Sequence, residues 1–243
     1  MLNRRIEESA LNAWPALRQV VYDGWVLRFS KGFTKRANSV NALCPSTIDT
    51  GEKIAFCEAR YQEQGLLPIF RITPFAPTDL DPMLEGRGYK RIDTTLVLHL
   101  DLGRCLVPPT EPLHEAPIDE WLPIYCRLNN SPLDAHQVHR EILETITGVC
   151  HPASLVVSGE PVSCALGVLE AGFFGLFDVV TALAHRNKGY ATMMLFSMLG
   201  WACANGAVHA YLGVVEANAA ARTLYSKLGY QEAYTYWYRI PTP

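Results

Sequence analysis

Two stretches of this 243-residue chain carry side chains whose types and spacing point to chemistry. In HRNKGYATMML, residues 185–195, Arg186 and Lys188 stand with Gly189 at the mouth of an almost wholly apolar run. Backbone N–H groups at a helix start lack intrahelical acceptors and carry the positive end of the dipole. A glycine there lets an anion approach the backbone closely, so phosphate is the natural guest. Arg186 and Lys188 supply charge around it, and Ala191 keeps the first turn open. The pattern is neither an ATP loop, since no GK[ST] closes it, nor a dinucleotide fingerprint, since RNKGYA lacks two of the glycines. In NAAARTLYSKLGY, Asn218 stands where a side chain caps a helix, and Tyr225 follows about two turns later on the same face.

The elements that must position these residues follow from periodicity. IDEWLPIYCRLN and LDAHQVHREILETITG read as amphipathic helices. SLVVSGEPVSCALGVLEAGFFGLFDVVTALA reads as three strands with tight turns at Ser158-Gly159 and Ala171-Gly172. A buried helix from about Gly189 to Ala204 follows, then the strand HAYLGVV, the helix of Asn218 and Tyr225, and the terminal strand YQEAYTYWYRI.

The first half repeats part of this pattern. EKIAFCEARYQEQGLLPIFRIT and MMLFSMLGWACANGAVHAYLGV both read as helix, glycine stop, strand. Their stops, Gly65 and Gly206, lie 141 residues apart, as do Gly88 and Gly229. The chain is therefore read as two related α+β halves, 1–102 and 113–243, joined by a proline-broken linker at 103–112. At this offset Arg186, Gly189 and Ala191 fall opposite Pro45, Ile48 and Thr50, so only the second half has the phosphate loop.

Composition narrows the function classes. With a net charge of -3 the chain has no basic field for nucleic acid. No run is long and apolar enough for a bilayer, and MLNRRIEESALNAW has no signal-peptide core. Seven cysteines without CxxC spacing point to reduced thiols and a cytoplasmic protein. No metal site is expected, and His136 and His139 read as surface residues of a polar helix.

Together, R-x-x-G-x-A at Arg186 to Ala191 and NAAARTLYSKLGY about thirty residues later resemble the GNAT family of N-acetyltransferases. The resemblance covers residues from about Glu111 to the C terminus. The first half resembles a degenerate copy, giving two GNAT-like domains, each a mixed, mostly antiparallel sheet flanked by helices. The resemblance implies transfer of acetyl from acetyl-CoA to an amine. It implies that the amides of Asn187, Lys188, Gly189, Tyr190, Ala191 and Thr192 hold the pyrophosphate. Val179, Val180 and Thr181 would align the pantetheine, Asn218 would steady the cofactor, and Tyr225 would protonate the departing thiolate.

Where some relatives carry a glutamate base, this chain has Gly213; Asp178, Glu216 and His209 are nearby alternatives, left unassigned. Arginines and other polar groups in strand-like runs of the first half, Arg28, Arg36, Asn38 and Arg71, need partners. Pairing with Asp23 or Asp93 is one reading; the other is a pocket, walled by Tyr236 and Trp237, for an acceptor with a carboxylate beside its amine. A small amine or amino-acid-like acceptor is expected, with protein N termini or lysines and a non-catalytic acyl-CoA binder as alternatives. A monomer or homodimer is expected.

Overall fold

The computed structural model describes residues 1–104 and 112–242, so most of the linker expected at 103–112 lies outside the described residues. The chain opens with α1 (Leu2–Ala13), β1 (Arg18–Tyr22), β2 (Trp25–Phe29), β3 (Val40–Ala42), α2 (Thr50–Glu63), β4 (Phe70–Ile72), α3 (Leu80–Gly86) and β5 (Lys90–Asp101). Beyond the seam come β6 (His114–Glu115), α4 (Ile118–Leu128), α5 (Gln137–Glu144), β7 (Val149–Val157), β8 (Glu160–Glu170) and β9 (Phe173–Thr181). The chain then runs through α6 (Tyr190–Ala204), β10 (His209–Val215), α7 (Ala219–Lys227) and β11 (Gln231–Ile240). The second half keeps the expected order of elements, with the short β6 added in front.

Local chemistry explains the main joints. Ser158-Gly159 and Ala171-Gly172 both hold two successive left-handed residues, the geometry of tight hairpin turns. Along β5, Leu96, Leu98 and Leu100 face one core while Val97 faces another, as a period of two requires. The first core packs under α6, whose Met194, Leu195, Met198 and Leu199 are fully buried. The second lies across the sheet beneath Ile6, Trp121, Leu122 and Ile142 of α1, α4 and α5. A third fills the first half around Trp25, Ile54, Tyr61 and Phe70.

All the described strands join one mixed sheet in the order β1-β2-β3-β4-β11-β5-β10-β9-β8-β7-β6. The middle of this order could not be read from the sequence. The last strand, β11, does not lie beside β10 but crosses over to run antiparallel between β4 and β5. In turn β5 runs antiparallel to β10. The boundaries expected at 102 and 113 thus separate strands that share a single sheet. The offset of 141 relates α2 to α6, β4 to β10, α3 to α7 and β5 to β11 to within two residues at most starts. Gly65 and Gly206 are both left-handed, as are Gly88 and Gly229.

Candidate active site

The start of α6 is open. Gly189 stands at its N-cap with φ +82°, no side chain caps it, and its first turn carries no acid. The first bond of the helix runs from Met193 N–H to Gly189 O at 3.0 Å. The amides of Tyr190, Ala191 and Thr192 therefore precede the intrahelical ladder. Arg186, Asn187 and Lys188 are exposed in front of them, and Arg186 Nε donates to Thr181 O at 3.3 Å. The matching start of α2 is closed by its own chain: Asp49 accepts from Gly51 N at 2.9 Å and Glu52 N at 3.2 Å. With Glu52 also in that first turn, α2 already holds the anions an N-terminus attracts.

Leading away from the α6 start is a split in the sheet. Parallel pairing of β9 with β10 ends at Leu176 and Leu212, although the strands run on to Thr181 and Val215. At the same level the pairing of β8 with β9 slips between Cys164–Val180 and Leu166–Phe177, so Ala165 faces both Asp178 and Val179. This is a bulge on β9, with Asp178 left-handed at φ +48°. The bulge leaves Asp178 and Val179 out of register at the point where β9 parts from β10, while Val180 and Thr181 stay paired with Cys164 and Ser163 of β8.

α7 closes the far side. Asn218 Oδ1 accepts from Ala221 N at 3.1 Å, a side-chain cap on α7. Tyr225 is buried in the core under α6, against which Val179, Tyr190, Ala221 and Leu224 also pack. Burial pushes the Tyr225 phenol up to about 12, so it keeps its proton across the neutral range.

On the opposite face of the sheet the split opens into a chamber of about 280 Å³ between the halves. Trp14, Arg36, Thr95, Asp178, Gly213 and Tyr236 line it. A Cβ on Gly213 would sit 3.6 Å from Arg36 Nη2 and 3.8 Å from Tyr236 Oη, so the missing side chain leaves room for both. Burial raises the Tyr236 phenol, but the guanidiniums of Arg36 and Arg71 outweigh it and draw the phenol below its ordinary value.

The polar residues expected to serve the acceptor divide. Arg28 is buried and donates to the carbonyls of Arg36, Leu11 and Trp14. Asn38 ties its own loop, accepting from Ser30 N at 2.7 Å and donating to Phe33 O at 2.7 Å. Arg71 makes a buried two-point pair with Glu7 and stacks on the Tyr236 ring at 3.8 Å. Trp237 lies on the other face of β11, where Nε1 donates to Asp81 at 2.8 Å. Of the residues expected at the acceptor, Arg36 and Tyr236 face the chamber. The carboxylates suggested as partners are taken by lysines, Asp23 by Lys53 at 3.3 Å and Asp93 by Lys35 at 2.9 Å.

A family model described as "Probable histone acetyltransferase Rv0428c C-terminal" matches residues 3–239. The chain is 30% identical to the "Uncharacterized N-acetyltransferase YobR" of Bacillus subtilis (strain 168), over 98% of each. The chain belongs to the GNAT N-acetyltransferases. The fold agrees: a GCN5-related N-acetyltransferase from Kribbella flavida superposes with a TM-score of 0.75 at 18% identity, covering 99% of this chain and 95% of that one. A tandem GNAT protein from the clavulanic acid biosynthesis pathway superposes at 0.61 and 12% identity, covering 84% and 75%. The GNAT reading makes this chain an acyl-CoA-dependent acyltransferase. Among the described residues no helix is long and apolar enough to cross a membrane.

Within this acetyltransferase the alternatives for the base separate by position. His209 sits at the paired end of β10, opposite Phe173, where its Nδ1 meets His99 Nε2 at 3.2 Å. Glu216 is exposed in the turn after β10. Asp178 alone of the three lines the chamber.

His136 and His139 are not surface residues. Both are buried, packed among Trp14, Phe33 and Tyr125. Three-residue spacing on a short helix is the same for a solvated and a buried pair, and the covering rings come from a distant part of the chain. The Asp49 cap, two residues before Gly51, was readable as an N-cap signal. Tyr236, expected with Trp237 as a pocket wall, does line the chamber, whereas Trp14 and Thr95 reach it through contacts between distant segments and left no local signal.

Proposed function

We propose that this chain transfers the acetyl group of acetyl-CoA to the primary amine of a small, amino-acid-like acceptor that carries a carboxylate. The open start of α6, facing the split between β9 and β10, carries the donor half of this reading. The amides of Asn187, Lys188, Gly189, Tyr190, Ala191 and Thr192 hold the pyrophosphate, with Arg186 and Lys188 around it. Val179, Val180 and Thr181, beyond the point where β9 leaves β10, align the pantetheine arm, and Asn218 steadies it from α7. A backbone N–H of the bulge polarises the thioester carbonyl and stabilises its oxyanion. Tyr225, protonated by virtue of its burial, gives its proton to the departing thiolate.

The acceptor enters from the chamber. Arg36 has no carboxylate partner among the described residues, its polar neighbour being the Tyr236 phenol, and a guanidinium so placed on a half-enclosed wall favours an anionic group. Holding the acceptor by its carboxylate fixes the amine relative to the thioester, which supplies much of the acceleration. The matching elements, the paired left-handed glycines and the mutual crossing of β5 and β11 support a tandem arrangement. The first unit, 1–102, has lost its own phosphate site and walls the acceptor groove of the second, 113–243, in a cytoplasmic monomer or homodimer.

Release of free CoA thiol in a panel of amines with and without a carboxylate tests this reading. Acceptors bearing the acid should be preferred, and Arg36→Met should raise their KM at least tenfold while sparing CoA affinity. Equal turnover of lysine-containing peptides would instead assign a protein acceptor, as the family description suggests. CoA binding without thiol release from any amine would mark a regulatory binder.

A further inference from the structure

Asp178 and His139 present an unusual pair of atoms. His139 Nε2 and Asp178 Oδ2 lie 2.9 Å apart, yet each is buried without a hydrogen-bond partner. The His139 side chain is 1% exposed and that of Asp178 15%. Two orphaned polar atoms at this distance in a dry site are costly, and a single aligned proton between them would satisfy both. The other edge of the His139 ring is anchored: its Nδ1 meets His136 Nδ1 at 3.1 Å, and His136 Nε2 meets Ser131 Oγ at 3.0 Å. With the proton of the first contact on His139, its Nε2 is left with a free lone pair facing Asp178. Trp14 at 5.2 Å and Phe33 at 5.3 Å, both from the first half, and Tyr125 at 5.6 Å hold the ring in place.

We propose that Asp178 and His139 form a proton-accepting dyad, in which Asp178 is the catalytic base and His139 the positioning residue that stores its proton. The inference rests on the acetyl-transfer reading above. The step balances as follows. An acceptor ammonium in the chamber gives one proton to Asp178, and the neutral amine attacks the thioester carbon, forming C–N. The carboxyl proton moves from Asp178 to His139 Nε2, leaving a carboxylate against an imidazolium whose Nδ1–H donates to His136. As C–S breaks, Tyr225 protonates the thiolate, and the second amine proton restores the Tyr225 phenol. One proton per turnover remains on the dyad and leaves to solvent once the amide product departs.

Storage on imidazole is what makes the base competent. An isolated aspartate holds a proton only below about pH 4, whereas imidazole holds one to about 6.5, closer to an α-amine near 8. The titratable and charged groups around the dyad are His136 just before α5, Tyr125 and Cys126 on α4, Cys164 on β8, and Lys35, Arg36 and Asp93 at the chamber. The bulge at left-handed Asp178 points this side chain at both the chamber and His139.

Turnover by wild type, Asp178→Asn and His139→Phe should be compared with two acceptors. One amine has a pKa above about 9 and the other below about 7, so the second is already neutral in the assay. The dyad predicts a 10²- to 10⁴-fold loss in kcat for the first amine, of the order a positioned base contributes, and little loss for the second. It also predicts that the acidic limb of the wild-type pH–rate profile is displaced in His139→Phe while CoA affinity holds. Equal losses with both amines, or none with either, overturn it. Independently of turnover, imidazole ¹⁵N signals of the full-length protein should show His139 taking up its proton in a step that Asp178→Asn alters. A His139 titration unchanged in Asp178→Asn overturns the dyad even if every amine proves inert, an outcome that would separately sink the acetyl-transfer reading.

Discussion

Placing a carboxylate at the open start of α6 separates coenzyme binding from folding. Ala191→Glu puts an acid in the first turn, as Glu52 does in α2. For the apo protein the change is favourable: a negative charge at a helix N-terminus contributes about 0.3–1 kcal/mol. For the coenzyme it is unfavourable. Taking about 5 Å between the new carboxylate and a phosphate charge, and an effective dielectric between that of water and about 20, the repulsion is roughly 1–3 kcal/mol. That corresponds to about a 5- to 150-fold weaker Kd. Ala191→Gln keeps the bulk without the charge and should bind within a few-fold of wild type. Calorimetric titration with CoA at low and high ionic strength, alongside thermal melts, reads both effects. The expected signature is opposite signs: a Tm unchanged or raised with a weakened Kd, the weakening shrinking as salt screens it. An Ala191→Glu protein that binds CoA as tightly as wild type at low salt would refute the placement of the diphosphate at α6.

Glu7→Gln strips the carboxylate from buried Arg71 and disturbs the 2.6 Å bond from the Tyr234 hydroxyl, and should cost about 3–5 kcal/mol in denaturant unfolding. The double change Glu7→Leu, Arg71→Met should recover most of it, because no lone charge is left behind. Tyr225→Phe should lower kcat at least tenfold with little change in CoA affinity, measured by thiol release and calorimetry. The Tyr225 phenol, raised from 10 to about 12 in the folded state, ionises first in the unfolded chain. Stability should therefore fall as pH rises from about 10 to 12, and less steeply in Tyr225→Phe. Gly175→Ala would set a Cβ 2.6 Å from both Phe177 Cε2 and the Tyr211 hydroxyl, an overpacking cost of about 1–3 kcal/mol in the same unfolding assay.

What the sequence revealed and what it hid divide along a physical line. Signals carried by neighbours in the chain were legible: the turn glycines, the apolar α6 behind Arg186 and Lys188, the Asn218 cap, and the 141-residue offset. Features made by contacts between distant segments were not. The pairing of Arg71 with Glu7 joins residues 64 apart, and no local pattern distinguishes that arginine from one aimed at a ligand. His136 and His139 look polar around the start of α5, and it takes the approach of Trp14 and Phe33 from the other half, with Tyr125, to bury them. Arg36 was named among several equivalent arginines, and it took the crossing of β11, which brings Tyr236 to Gly213, to single it out.

The central position of β11 bears on how the chain comes to be made. Until β11 leaves the ribosome, the nascent protein has a slot between β4 and β5, bordered by two rows of unsatisfied amides and carbonyls. Such a vacancy invites a strand from a neighbouring copy, so removing β11 should promote intertwined multimers or precipitation.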